Sequence, residues 1–139
     1  MFFVVIFKPF KKCESEFPFS AIIITGGIYE DSVELLFPNG TSLCSLPSLP
    51  NTRYGHTQSG LVTCGGGGWS SRDCITFSGG QWNTSHSLLY ERTYHTSWSS
   101  TQHGTILIGG MNSDSRTTTE ILTETGESQE SFTLKYGIM

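Results

Sequence analysis

Most apolar residues along this chain fall in short runs of about five, bounded by glycine, asparagine, proline or serine. No stretch keeps a 3.6-residue apolar period over three turns, so the pattern excludes long amphipathic helices. It predicts short strands joined by tight turns. Three of the runs end on a double glycine: Ile22-Ile23-Ile24-Thr25-Gly26-Gly27, Leu61-Val62-Thr63-Cys64-Gly65-Gly66 and Ile106-Leu107-Ile108-Gly109-Gly110. Glycine takes positive φ without steric cost and lets another backbone come close, which suits a sharp strand exit in a crowded place.

The double glycines are spaced by 39 and 44 residues, and two further marks move with them. Arg53-Tyr54-Gly55-His56-Thr57 recurs 39 residues later as Arg92-Thr93-Tyr94-His95-Thr96, and Lys135-Tyr136-Gly137 begins a third copy. Between these marks, Ser32-Val33-Glu34-Leu35-Leu36 matches Thr118-Thr119-Glu120-Ile121-Leu122, with Asp73-Cys74-Ile75-Thr76-Phe77 in the middle slot. A glycine turn follows each, at Pro38-Asn39-Gly40, Ser78-Gly79-Gly80 and Thr125-Gly126. Three marks in constant order define repeating units near 20–60, 61–104 and 105–139, each sized for about four strands.

Composition narrows the picture. Of the 139 residues, 36% are hydrophobic and 12% aromatic, too many for a disordered chain, while only 14% are charged. The net charge of −4 leaves no footprint for nucleic acid. No run reaches the length of a membrane-spanning helix. Residues 1–19 form a separate N-terminal segment with an apolar start, Met1 to Phe7. Its lysines follow the apolar run and no small-residue cleavage site appears, so it predicts a strand or the start of an incomplete chain rather than a secretory signal.

Together the marks resemble the kelch repeat, over roughly residues 20–139. Trp82 stands in that family's tryptophan slot, which Leu43 fills in the first unit and which the third unit lacks. The resemblance implies an all-β fold of kelch-type β-propeller blades. About three blade-equivalents make an incomplete ring, since a closed propeller needs about 4–8 blades. The stop inside a repeat favours a piece of a longer protein. An open stack leaves sticky apolar faces through which chains could self-associate. In this reading Gly26, Gly27, Gly65, Gly66, Gly109, Gly110 and Trp82 are structural, as are Arg53, His56, Arg92 and His95, each Arg–His pair tying one blade to the next.

The sequence predicts no catalytic constellation, no metal site and no cofactor. It lacks a nucleophile elbow, and Gly65–Gly68 lacks the G-K-[ST] ending of a phosphate loop. Cys64 and Cys74 flank a glycine-rich loop on neighbouring strands and are the disulfide candidate; two buried free thiols are the alternative. Asn39 and Asn83 begin N-x-[ST] sequons, which tilts the expectation towards an extracellular setting. The loops after the double glycines, 28–32, 67–73 and 111–117, are expected on one face. With loop 97–104 they offer Trp69, Arg72, Trp98 and Arg116 as partner-binding residues. The function expected is a non-catalytic module binding a protein or a glycan. The alternative is a fragment of a copper radical oxidase of the galactose oxidase class, for which no ligand residue can be assigned.

Overall fold

The computed structural model describes residues 22–36, 46–67 and 72–137 in full, and the backbone alone of 3–5, 21 and 42–45. The described residues are all-β and contain no helix. Among the described residues, twelve strands form three antiparallel four-stranded sheets, each taken up in chain order. The first holds β1 (Phe3–Val5), β2 (Ala21–Gly27), β3 (Glu30–Leu36) and β4 (Ser42–Ser45). The second holds β5 (Thr57–Ser59), β6 (Val62–Cys64), β7 (Asp73–Ser78) and β8 (Gln81–Ser87). The third holds β9 (Thr96–Ser100), β10 (Gly104–Ile108), β11 (Thr118–Leu122) and β12 (Ser128–Thr133).

The central strand pairs repeat in the same register. Thr25 pairs with Val33, Cys64 with Cys74, and Ile108 with Thr119, so residues 33, 74 and 119 are equivalent. The sheet frame, however, starts one strand earlier than the units counted from the double glycines. The short strand after each histidine, β5 or β9, joins the sheet that follows it. Residues 3–5 likewise pair with β2, so this part of the N-terminal segment belongs to the first sheet.

Side chains alternate across each strand, giving every sheet two faces. Ile23, Val33 and Leu35 of the first sheet pack on Leu49 and on Ile75, Phe77 and Trp82 of the second. Cys64 and Cys74, on the second sheet's other face, pack with Leu88 and with Leu107 and Leu122 of the third. Trp82 is buried and donates its indole N–H to the Pro47 carbonyl at 2.8 Å. Cys64 and Cys74 are cross-strand partners joined by a disulfide, in the pairing that the sequence offered.

Candidate binding rim

The chain crosses from one sheet to the next through residues 46–56 and 88–95, and each crossing carries an arginine with no solvent exposure. Arg53 accepts the Gly27 N–H at its carbonyl (3.0 Å) and sends its guanidinium into the second sheet. There it donates to the Gly65 carbonyl at 3.1 Å and pairs with Asp73 at 3.0 Å. Arg92 repeats the arrangement one sheet on. Its carbonyl accepts the Gly66 N–H at 2.8 Å, and its guanidinium donates to the carbonyls of Gly109 and Thr118. It also pairs with Glu120 at 2.7 Å, both side chains fully buried. Glu120 accepts from the N–H groups of Leu89 and Tyr90 and from the Ser128 hydroxyl as well. A buried carboxylate needs that many donors to offset its lost hydration.

The double glycine makes these crossings possible. A Cβ on Gly65 would fall 2.4 Å from the Arg92 carbonyl oxygen and 2.9 Å from His95 Cε1. At Gly26 the same distances, to Arg53 and His56, are 2.5 and 3.0 Å. His56 Nε2 lies 2.8 Å from the Thr25 hydroxyl, and His95 Nε2 lies 2.9 Å from that of Thr57. Among the described residues, Nδ1 of neither ring has a hydrogen-bond partner. Burial first, and then the neighbouring arginine, lowers His56 to about 4 and His95 to about 3. Both rings are therefore neutral at pH 7.

The crossings and the post-glycine turns come together at one end of the sheets. Tyr54 and Tyr94, from consecutive crossings, face each other with ring centroids 6.4 Å apart. Tyr54 lies over Gly67, whose backbone N–H donates to the Tyr54 carbonyl. Met111 donates its N–H to Thr93, and Ile28, Tyr29 and Met111 are all exposed in the turns beside the crossings. Tyr29 (φ 66°, 87% exposed) and Tyr94 (φ 54°, 50% exposed) hold left-handed backbone, which a bulky residue adopts only at a cost. At Tyr94's equivalent the first crossing has Gly55, with φ 63°. Nearby, Arg72, Tyr90, Glu91, Asn112 and Asp114 line an open cleft of about 510 Å³.

The partner-binding residues named from the sequence distribute differently from expectation. Arg72 borders the cleft, but its Nε and Nη2 both donate to the Leu88 carbonyl, which fixes its course. Arg116 is exposed, donates to the Met111 carbonyl and lays its methylenes against Gly137. Residues 97–104 are not a loop. They belong to the β9–β10 hairpin, with Trp98 opposite Ile106 and the extra residues absorbed into longer strands. Trp98 is half exposed and stacks on His103 near the turn of that hairpin, whereas the double glycine lies at the far end of β10. Loop 28–32 shrinks to a two-residue turn, because β3 starts at Glu30. Trp69 and Asn39 lie outside the described residues. Asn83 is exposed on β8, just past the 78–81 turn.

Lys135 does not take the third arginine slot. Leu49, Leu88 and Leu134 donate their N–H groups to the equivalent carbonyls of Asp31, Arg72 and Thr117. The two buried arginines stand four residues after their leucines, whereas Lys135 follows Leu134 directly and is exposed. Tyr54, Tyr94 and Glu120 were not singled out from sequence. The two tyrosines stood inside a recognised mark, but nothing local distinguished an exposed ring from a packed one.

Among the described residues no three His, Cys, Asp or Glu side chains converge as a metal site. No described helix is long and apolar enough to cross a membrane. No protein-family model matches the chain, and no curated protein matches it.

Proposed function

We propose that the three sheets are blades of a kelch-type β-propeller and that the chain is a non-catalytic module binding a protein or a glycan partner. The binding surface is the rim where the crossings meet the post-glycine turns. One observation carries this reading: Tyr29, Tyr54 and Tyr94 sit exposed on that rim, two of them on backbone that glycine would hold at lower cost. Exposed aromatic side chains on strained backbone cost stability and recover only part of it from packing, so recognition is the reason to keep them. The sheet-to-sheet succession through Arg53 and Arg92 supports the blade reading, because each arginine fixes one sheet on the next.

The test uses the whole chain on arrayed glycans and on candidate protein partners, wild type against Tyr29→Gly and Tyr94→Gly. Both variants are expected to fold, since glycine suits both backbones, and to lose the wild-type ligand. Trp98→Ala, on the hairpin outside the rim, should keep it. Full binding by both tyrosine variants would overturn the assignment of the rim.

A further inference from the structure

Resting on that blade reading, the repeat register compares the two outer faces of the stack with the faces already covered inside it. Each sheet has a forward face, covered by the next sheet, and a backward face that covers the previous one. Ile23 and Leu35 of the first sheet's forward face are buried under the second sheet. Their equivalents in the third sheet are Ile106 and Ile121, and with Ile108 these stay partly exposed. On the backward side, Leu107, Glu120 and Leu122 face the second sheet. Their equivalents in the first sheet are Ile24, Glu34 and Leu36, with Glu34 exposed and the two apolar residues partly so.

Glu34 is therefore the counterpart of the most heavily bonded carboxylate among the described residues. Ser32 and Glu34 reproduce the Thr118 and Glu120 pattern, yet among the described residues Glu34 has no ion pair. From the crossing, Glu120 receives the N–H of Leu89, the N–H of Tyr90 and a cation. Counting from the equivalent leucines, Lys135 and Tyr136 correspond to Leu89 and Tyr90. Both are exposed, and Lys135 brings an ammonium to a stretch without arginine. The first sheet's backward face thus carries an acceptor between apolar residues, and the third sheet carries an apolar forward face with donors and a cation beside it.

We propose that a second copy of this chain docks head to tail on the first. Ile24, Glu34 and Leu36 of one copy cover Ile106, Ile108 and Ile121 of the other, while Glu34 takes up Lys135 and the adjoining N–H groups. The contact is heterologous: it closes a ring if the rotation between copies allows and otherwise extends an open stack.

Sedimentation velocity over a wide concentration range tests this on the full chain. The wild type should self-associate. Glu34→Lys and Lys135→Glu should each weaken association at least about tenfold, because each sets like charges against one another. The double exchange should restore association, which separates charge pairing from misfolding. Ile121→Asp should weaken association with no rescue by the charge exchange. A folded wild type that stays monomeric throughout overturns the proposal, as does association unchanged by Glu34→Lys and Ile121→Asp. Rim variants report on partner binding independently, so failure here leaves the rim assignment to its own test.

Discussion

Mild acid should destabilise this protein, and the two crossing histidines set the size of the effect. Burial lowers His56 to about 4 and His95 to about 3, from an ordinary value near 6.5. A histidine lowered on folding contributes stability that is complete above the unfolded value and is lost as pH falls towards the folded one. The window therefore opens near pH 6.5 and extends to about pH 4 for His56 and about pH 3 for His95. At pH 5 both rings are almost wholly neutral in the fold and almost wholly protonated in the unfolded chain. The loss there depends on the unfolded value alone: about 1.5 pH units at 1.36 kcal/mol each, or about 2 kcal/mol per ring. The pair gives about 4 kcal/mol out of a domain stability of about 5–15 kcal/mol. Thermal melts followed by far-ultraviolet circular dichroism at pH 7, 6 and 5 should show the midpoint falling by about 10–20 °C. Glutamine at both positions can still bond Thr25 and Thr57 but does not titrate, so His56→Gln/His95→Gln should flatten the profile. A wild-type midpoint unchanged between pH 7 and 5, or an equally steep double variant, would refute the reasoning.

Two further expectations concern the junctions. Gly65→Ala drives a Cβ to 2.4 Å from a backbone oxygen at φ 60°, so it should cost more than about 3 kcal/mol. Gly79→Ala has the same φ (61°) but open space, and should cost only about 1 kcal/mol; equal midpoints for the two in urea titrations would count against the close-approach argument. Replacing Cys64 and Cys74 by alanine opens a loop of sequence separation 10 and should lower stability by about 2–3 kcal/mol, read as the denaturant midpoint.

The parts of the fold legible in the sequence are those that local sterics dictate. A double glycine is needed wherever a crossing's carbonyl and histidine ring press on the strand exit, and that need repeats with the crossings at Gly26 and Gly65. The Cys64–Cys74 pair was legible because cross-strand partners follow from two short strands around one loop. The frame of the sheets was not legible. Thr57–Ser59 looks the same whether it ends one sheet or begins the next; only the burial of Arg53 in the following sheet fixes the choice. The Trp98 hairpin failed for a related reason, since added residues can lengthen a loop or two strands, and their composition suits both. Lys135 was misplaced because a Lys-Tyr-Gly string imitates Arg53-Tyr54-Gly55, while the backbone register runs through Leu134.

The divergence between repeats is compensation rather than decay. Arg53 meets a carboxylate at Asp73, and two residues on, at the other candidate slot, stands Ile75, buried in the core. Arg92 meets Thr118 at the Asp73 position, and the carboxylate has moved to Glu120, where Ile75 stood. Each buried guanidinium thus keeps a counter-charge, and the neighbouring slot becomes apolar or a small hydroxyl. An unpaired buried arginine would cost several kcal/mol, so the acid can move between the two slots but cannot be absent from both. The first sheet follows the second pattern, with Ser32 and then Glu34, although no arginine reaches it among the described residues. Glu34 is therefore placed to act as the acid half of the proposed head-to-tail contact, with Lys135 of a second copy as its counterpart.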